Sequence, residues 1–170
     1  MTITNDARST ATNHDVLAGE FVASPTLAAD LQTVLVGLLE LQNQAKQAHW
    51  TLVGPNFRST HLELDELVDA ARDYADSVAE RMRALEAVPD GRTGTVATTT
   101  SLEAFPAGEV GVEGAVAVIA DRILGVVNGI RAVHDDVDGQ DPTSADILHT
   151  ILEGLEKQRW MFSAQLRHVS

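Results

Sequence analysis

The stretch KQAHWTLVGPNFRSTHLELDELVDAARDYADSVAER, residues 46–81, decides the fold of this chain. Apolar residues recur every three or four positions on both sides of Gly54-Pro55, a dipeptide that interrupts helices. The stretch therefore predicts the end of one amphipathic helix and most of a second. It also carries two histidines and three carboxylates at helical spacing, namely His49, His61, Asp65, Asp76 and Glu80. Imidazole and carboxylate together suit Fe²⁺, and they also suit Zn²⁺ and Mn²⁺.

The spacing of these ligands divides them into two half-sites. On a helix that advances about 100° per residue, positions 61, 65, 76 and 80 lie within an arc of about 100° and share one face. At about 1.5 Å of rise per residue, Asp65 and Asp76 lie on the order of 16 Å apart, too far to share one ion. A second, antiparallel copy about a two-fold axis near residues 70 and 71 would join the two half-sites of different chains. The same axis predicts an ion pair between Asp69 of one chain and Arg72 of the other.

Each ligand, taken alone, has an ordinary explanation. His49 near a helix end could complement the helix dipole, and His61 could be structural. Asp76 and Glu80, one turn apart, could be a solvated acidic pair. However, the Gly54-Pro55 turn can bring both imidazoles to one corner, and neighbouring carboxylates repel each other unless a cation offsets them. The occurrence of the histidines and the carboxylates together in this arrangement favours a metal site.

The rest of the chain predicts an all-α fold. Helical patterns run from Ser24-Pro25 to Gly54-Pro55, from about 57 to 88, from 112 to about 137, and from Asp141-Pro142 to 166. Residues 89–110 form a long connection, in which Thr100-x-x-Glu103 predicts a capping box that opens one short helix. Two short turns and one long crossover are typical of a ferritin-like four-helix bundle.

Composition limits the classes of function. The chain has 170 residues and 44% apolar residues, enough for one domain at residues 21–170, with residues 1–20 as a flexible tail. It has no cysteine, so any metal must be held by nitrogen and oxygen. We find no membrane-length apolar run and no signal-peptide pattern, and we therefore expect a soluble cytoplasmic protein.

The net charge of −13 attracts cations and repels polyanions, although it could also serve solubility alone. The expected tail offers one cation, Arg8, against three acids, Asp6, Asp15 and Glu20, and only Arg167 and His168 lie near the C-terminus. Because phosphate neutralisation supplies most of the affinity for DNA, we expect weak or no DNA binding, and nucleoid association only if DNA is bound.

The motifs of residues 46–81 resemble those of a known family. They are Lys46-Gln-Ala-His49-Trp50, Gly54-Pro-Asn-Phe57, His61-x-x-x-Asp65 and Asp76-x-x-x-Glu80-Arg81, and their order resembles the signature of the Dps family, the DNA-binding proteins from starved cells. The resemblance extends over nearly the whole chain except its tail. It implies a ferritin-like subunit, a hollow homododecamer, and ferroxidase sites that combine His49, His61 and Asp65 of one subunit with Asp76 and Glu80 of another.

The family resemblance also implies an activity. Fe(II) would be oxidised, preferably by hydrogen peroxide and otherwise by dioxygen, and stored as ferric oxyhydroxide, which protects DNA from hydroxyl radicals. Trp50 would trap stray oxidising equivalents beside the site, or it is simply a packing aromatic at a helix end. Di-iron sites inside one bundle use Glu-x-x-His motifs, and this chain has none, so a site inside one subunit is disfavoured.

Further acidic residues have weaker assignments. In the family, the region around Asp146, Asp141 and Asp138 surrounds a three-fold pore, where Asp146 would concentrate Fe²⁺. The alternative is a solvated turn that caps a helix. Carboxylates on the second helix could nucleate mineral or be ordinary polar surface, namely Glu63, Glu66, Asp69 and Asp73.

Three rival functions explain less of the sequence. If the protein were a non-catalytic helical assembly module, the helical spacing of the five candidate ligands would be a coincidence. A DNA-compacting protein disagrees with the acidic tail, and a catalase-like or oxygenase use of the scaffold needs a metal pair within one chain.

Overall fold

The structure, a computed structural model, describes residues 20–167. The predicted tail therefore lies outside the described residues except for Glu20. The elements in chain order are α1 (Pro25–Thr51), β1 (Leu52–Val53), α2 (Phe57–Ala84), α3 (Thr93–Thr99), β2 (Val110–Gly111), α4 (Val112–Gln140) and α5 (Pro142–Ala164).

Four long helices form one bundle around an apolar core. Helix α1 packs along α2 and α4, and α4 packs along α5. Leucines of α1 such as Leu38 meet Leu67 of α2, Ile123 of α4 and Phe162 of α5 in one buried cluster. Fully burying one such side chain stabilises the fold by roughly 1.5–3 kcal/mol. The predicted four-helix bundle, with a long crossover that carries one short helix, is confirmed.

Local capping chemistry sets the start of α1, as the sequence predicts. The Ser24 hydroxyl accepts a hydrogen bond from the Leu27 backbone N–H at 3.1 Å, and Pro25 occupies the first helical position. Proline fits there because its missing N–H has no partner inside the helix. The Ser24 hydroxyl also donates to the side-chain oxygen of Gln140, which ties the start of α1 to the end of α4.

A parallel pair of two-residue strands joins the crossover to the first turn. Leu52 pairs with Val110 and Val53 with Gly111. The sequence analysis missed this pairing because two residues are too short to show alternation. The chain then turns through Gly54, whose φ of 115° suits glycine. The strand pair fixes the segment that separates the two histidines of the predicted site.

The position predicted for the short helix is wrong. Helix α3 ends where the capping box was expected to begin, and Thr100 is its C-cap. Pro106 limits any helix that starts at Thr100 to about one turn, because proline removes a helical hydrogen bond and pushes the preceding residue towards extended backbone. The side chain of Asp90 instead orders the entry to α3, where it accepts hydrogen bonds from the Arg92 N–H at 3.1 Å and the Thr95 hydroxyl at 2.9 Å.

Within residues 20–167, every helix is too short or too polar to cross a bilayer.

Asp141 has a structural role that differs from the expected role at a pore. It is 7% exposed, caps α5 and forms an ion pair with Arg81 at 2.7 Å. Burial acts to raise the pKa of Asp141, but hydrogen bonds from Ser144 and Arg81 outweigh it and hold the pKa below its ordinary value. Because its carboxylate is already engaged within the subunit, Asp141 is a poor ligand for ions in a pore.

We expect Asp141→Asn to lower the free energy of unfolding by about 2 kcal/mol at neutral pH, because it removes an ionised cap and leaves Arg81 unpaired. Because the pKa of Asp141 is lower in the folded state, its contribution is complete above the unfolded pKa. It disappears as the pH falls through the folded pKa, so the difference from wild type should shrink below about pH 4.

The measurement is urea unfolding at one fixed protein concentration across this pH range. Asp138→Asn is the matched control because it removes the same charge from an exposed position nearby. An equal loss of stability in both variants would contradict the role assigned to Asp141.

Candidate metal centre

Three predicted ligands converge where α1 passes into α2. His49 lies in the last turn of α1, while His61 and Asp65 lie in the first turns of α2. One ligand atom from each residue lies within 4.8 Å of the other two. Within residues 20–167, this is the one group of three potential ligands that meets this distance. The turn at residues 52–56 therefore brings together side chains that are twelve and more positions apart in sequence.

The two imidazoles hold each other in place. Their rings stack with centroids 3.6 Å apart. The Nδ1 atom of His49 lies 3.0 Å from the carbonyl oxygen of His61, and Nδ1 of His61 lies 3.1 Å from the carbonyl oxygen of His49. A carbonyl oxygen only accepts, so each neutral ring carries its proton on Nδ1 and keeps its lone pair on Nε2. A lone pair on Nε2 is what a metal ion requires.

Lys46 forms an ion pair with the Asp65 carboxylate. The Lys46 ammonium lies 2.6 Å from Oδ1 of Asp65, and Nδ1 of His49 lies 3.2 Å from the same oxygen. The hydrogen bond from Lys46 is the main cause that lowers the pKa of Asp65, so this carboxylate is ionised at neutral pH. An incoming divalent cation competes with the ammonium for Oδ1, and the long, partly exposed Lys46 side chain can move aside. The sequence analysis gave Lys46 no role in the site.

Asp76 and Glu80 do not join this group within the subunit. Both are exposed on the later turns of α2. Asp76 borders a groove with Leu39 of α1, whereas Glu80 borders a different groove with Thr150 of α5. The structure thus brings three of the five predicted ligands together and leaves the other two open to solvent, as the helical spacing predicts for a single chain.

Several large apolar side chains close in sequence to the three-ligand group are exposed. Trp50, beside His49 in the chain, is 68% exposed, and the Phe57 ring packs 5.0 Å from the ring of His61. Val53 and Leu62 are also large, apolar and exposed. Several large exposed apolar side chains within one short stretch of sequence indicate a protein interface. Of these residues, only Trp50 was singled out from the sequence. The others are detectable there because they do not follow the three- and four-residue spacing of the buried apolar residues.

The remaining acidic candidates occupy different environments. Glu63 accepts a hydrogen bond from the Gln165 amide at 2.7 Å, and its pKa is raised chiefly by burial. Glu66 is exposed, and so is Asp146 on α5. Asp69 pairs with Arg72 of its own helix at 3.9 Å, so the expected pair between two chains stays a prediction.

Comparisons with known proteins agree with the fold and with the motifs. A family model described as a ferritin-like domain matches residues 28–170. A protein of Agrobacterium fabrum named "DNA protection during starvation protein" is 32% identical over 149 residues, which cover 87% of this chain and 92% of that protein. A Haemophilus ducreyi protein named "Fine tangled pili major subunit" is 34% identical over 164 residues, covering 96% and 86%.

Solved structures give the same result. The structure of Dps from Microbacterium arborescens in its high iron form superimposes with a TM-score of 0.79 at 37% identity, covering 86% of this chain and 98% of that one.

Proposed function

Because the chain belongs to the Dps family of ferritin-like proteins, we propose that it is an iron-storage protein that oxidises Fe(II) at sites shared between two subunits. The observation that carries this proposal is the group of His49, His61 and Asp65, which supplies part of a coordination sphere within an exposed apolar surface. Iron is the substrate and cargo of such a site.

A second subunit completes the proposed site. Its Asp76 and Glu80 are exposed on the same helix face as His61 and Asp65, so an antiparallel approach of two α2 helices would bring them to the three-ligand group. The apolar surface around the group would then be buried by the partner. Such burial favours association and excludes water from the site.

The proposed reaction moves two electrons at once. Two Fe²⁺ ions each give one electron to hydrogen peroxide, the O–O bond breaks, and both oxygen atoms leave as hydroxide or water. No hydroxyl radical forms, because no single iron reduces peroxide alone. The ionised Asp65 and the two neutral imidazoles hold Fe²⁺, and the added carboxylates of the partner stabilise Fe³⁺ by charge. Trp50, exposed beside His49, is placed to donate an electron to any stray oxidant.

Assembly and storage follow from the same proposal. We infer a cytoplasmic homododecamer in which Fe³⁺ precipitates as ferric oxyhydroxide inside the shell. The net charge of −13 raises the local concentration of Fe²⁺. We assign Asp146 to a pore, and Glu66 and Asp69 to mineral nucleation, because their carboxylates are exposed. Glu63 is a weaker nucleation candidate, because Gln165 already occupies its carboxylate.

Anaerobic loading tests this function. We expect the intact protein, loaded with Fe²⁺ without oxygen, to consume about one peroxide for every two irons oxidised and to give little spin-trapped hydroxyl radical. Free Fe²⁺ at the same concentration is the control, and it should give a strong radical signal. Equal radical yields with and without protein would contradict the proposal.

We expect little DNA binding, despite the name of the family. The charge of −13 opposes the approach of phosphates, and the first twenty residues carry Arg8 as their one Lys or Arg. A gel-shift titration at low salt and neutral pH should leave the DNA unshifted. A variant with three lysines added near Arg8 is the positive control, and tight complexes with the unmodified protein would contradict this expectation.

A further inference from the structure

Two histidines outside the first metal centre face each other across the last two helices. His134 lies near the end of α4 and His149 in the second turn of α5. Their Nε2 atoms are 2.7 Å apart, and their ring centroids are 4.6 Å apart. They border a small cavity with Arg131 and Leu152. No role assigned so far uses this pair of imidazoles.

A carboxylate stands behind each imidazole. Nδ1 of His134 lies 3.1 Å from Oδ1 of Asp135, and Nδ1 of His149 lies 3.6 Å from Oδ1 of Asp146. The Asp135 carboxylate accepts a hydrogen bond from Nδ1 of His134, which favours the proton on that nitrogen and the lone pair on Nε2. Asp146 lies beyond hydrogen-bond distance of His149, but its negative charge beside Nδ1 favours the same tautomer of that ring. The two Nε2 lone pairs then point towards each other. At 2.7 Å they repel unless a proton or a cation lies between them.

We propose that His134 and His149 bind one divalent first-row transition cation, such as Co²⁺, Zn²⁺ or Fe²⁺, through their Nε2 atoms. Metal–nitrogen bonds of about 2.0–2.1 Å place the two nitrogens about 2.9 Å apart at the right angle of a six-coordinate ion and about 3.3 Å apart at a tetrahedral angle, so the rings need to separate by roughly 0.2–0.6 Å. Water fills the other positions. Asp135 accepts from the far nitrogen of His134, and such a contact orients a ligating ring and makes it a better ligand.

The charges around the cavity favour a bound cation. Arg131 borders the same cavity, but its guanidinium forms an ion pair with Glu156 of α5. Asp136 and Asp138 lie on the same turns of α4 as His134 and add negative potential. His149 is 58% exposed, so a hydrated ion can reach it from solvent.

This site is separate from the first metal centre. The Ser24–Gln140 hydrogen bond places the start of α1 beside the end of α4, near His134. His49 lies 25 residues further along α1, which is about 37 Å at 1.5 Å per residue. The two pairs of histidines therefore lie at opposite ends of the bundle, and the proposal holds or fails independently of the ferroxidase function.

Titration of the assembled protein with Co²⁺ under anaerobic conditions, followed by isothermal titration calorimetry, tests the proposal, because the heat of binding counts bound ions whatever their coordination number. The variants are His134→Asn/His149→Asn, His49→Asn/His61→Asn and the combination of all four. We expect each double variant to lose a different class of sites and the combined variant to lose both. The single variant His149→Asn, at a largely exposed position, guards against misfolding of the double variant.

The carboxylates give a second readout. Asp135→Asn/Asp146→Asn should weaken Co²⁺ binding at this site about tenfold, while Asp138→Asn, which removes a charge without touching either imidazole, should change it much less. The proposal is overturned if the wild-type protein binds Co²⁺ only in the class that His49→Asn/His61→Asn removes. It is also overturned if His149→Asn, assembled normally, titrates like the wild type.

Discussion

Replacing His49 and His61 together by alanine should lower the initial rate of peroxide-driven Fe(II) oxidation by about 100-fold. The two imidazoles supply both nitrogen ligands of the three-ligand group, and each also fixes the other through its contact with a backbone carbonyl. Their loss leaves Asp65 as the one ligand of the group, and Lys46 already occupies that carboxylate. The measurement is stopped-flow absorbance of ferric species after anaerobic loading with two Fe²⁺ per subunit.

The matched control replaces exposed neighbours on the same two helices. Asn43→Ala/Arg58→Ala changes one residue of α1 and one of α2 without removing a ligand, and it should oxidise iron at the wild-type rate. Size-exclusion chromatography of every variant establishes that the assembly is intact. If His49→Ala/His61→Ala oxidised iron at the control rate, His49 and His61 would not be ligands of the oxidation site.

Two inactive variants should restore activity when they assemble together. Asp76→Asn/Glu80→Gln alone should lose activity as severely as His49→Ala/His61→Ala, although Asp76 and Glu80 lie away from the three-ligand group of their own subunit. Each pair of subunits holds two sites. In a pair made of one subunit of each variant, one site has both its histidines and its carboxylates intact, whereas the other site lacks both. Random mixing in equal amounts should therefore yield about a quarter of the wild-type sites.

This experiment separates a shared site from a site within one subunit. If all five ligands came from one chain, every subunit in the mixture would be defective and the mixture would stay inactive. Each variant taken alone through the same dissociation and reassembly is the control. The fraction of active sites is measured as the amplitude of the fast oxidation phase, which is independent of slow, unspecific oxidation in solution.

The sequence predicted the helices well because their signals are local. A cap at Ser24 and a proline at position 25 act within one turn, and the apolar period of residues 57–84 reports one face of one helix. The short helix of the crossover was predicted at the wrong position, because Thr100-x-x-Glu103 has the residue types of a capping box but does not begin a helix. Pro106 opposes a helix there, and Asp90 orders the real helix instead.

The candidate ligands of the first centre were proposed from the sequence, since their spacing along α2 follows from the geometry of a helix. The part played by Lys46 was not readable, because the contact between Lys46 and Asp65 joins two helices across the turn. The sequence suggested a pore role for Asp141, but Arg81 and Ser144 approach it from α2 and α5 and occupy its carboxylate.

The sequence by itself determined the four long helices and the crossover and predicted the division of five candidate ligands into two half-sites, because each depends on periodicity along one chain segment. The tertiary structure decided which polar groups are already satisfied and which remain free. It engages Asp141, leaves Asp76 and Glu80 exposed, and sets His134 opposite His149. These outcomes depend on distances between helices, and such distances are fixed by core packing rather than by the spacing of residues in any one helix.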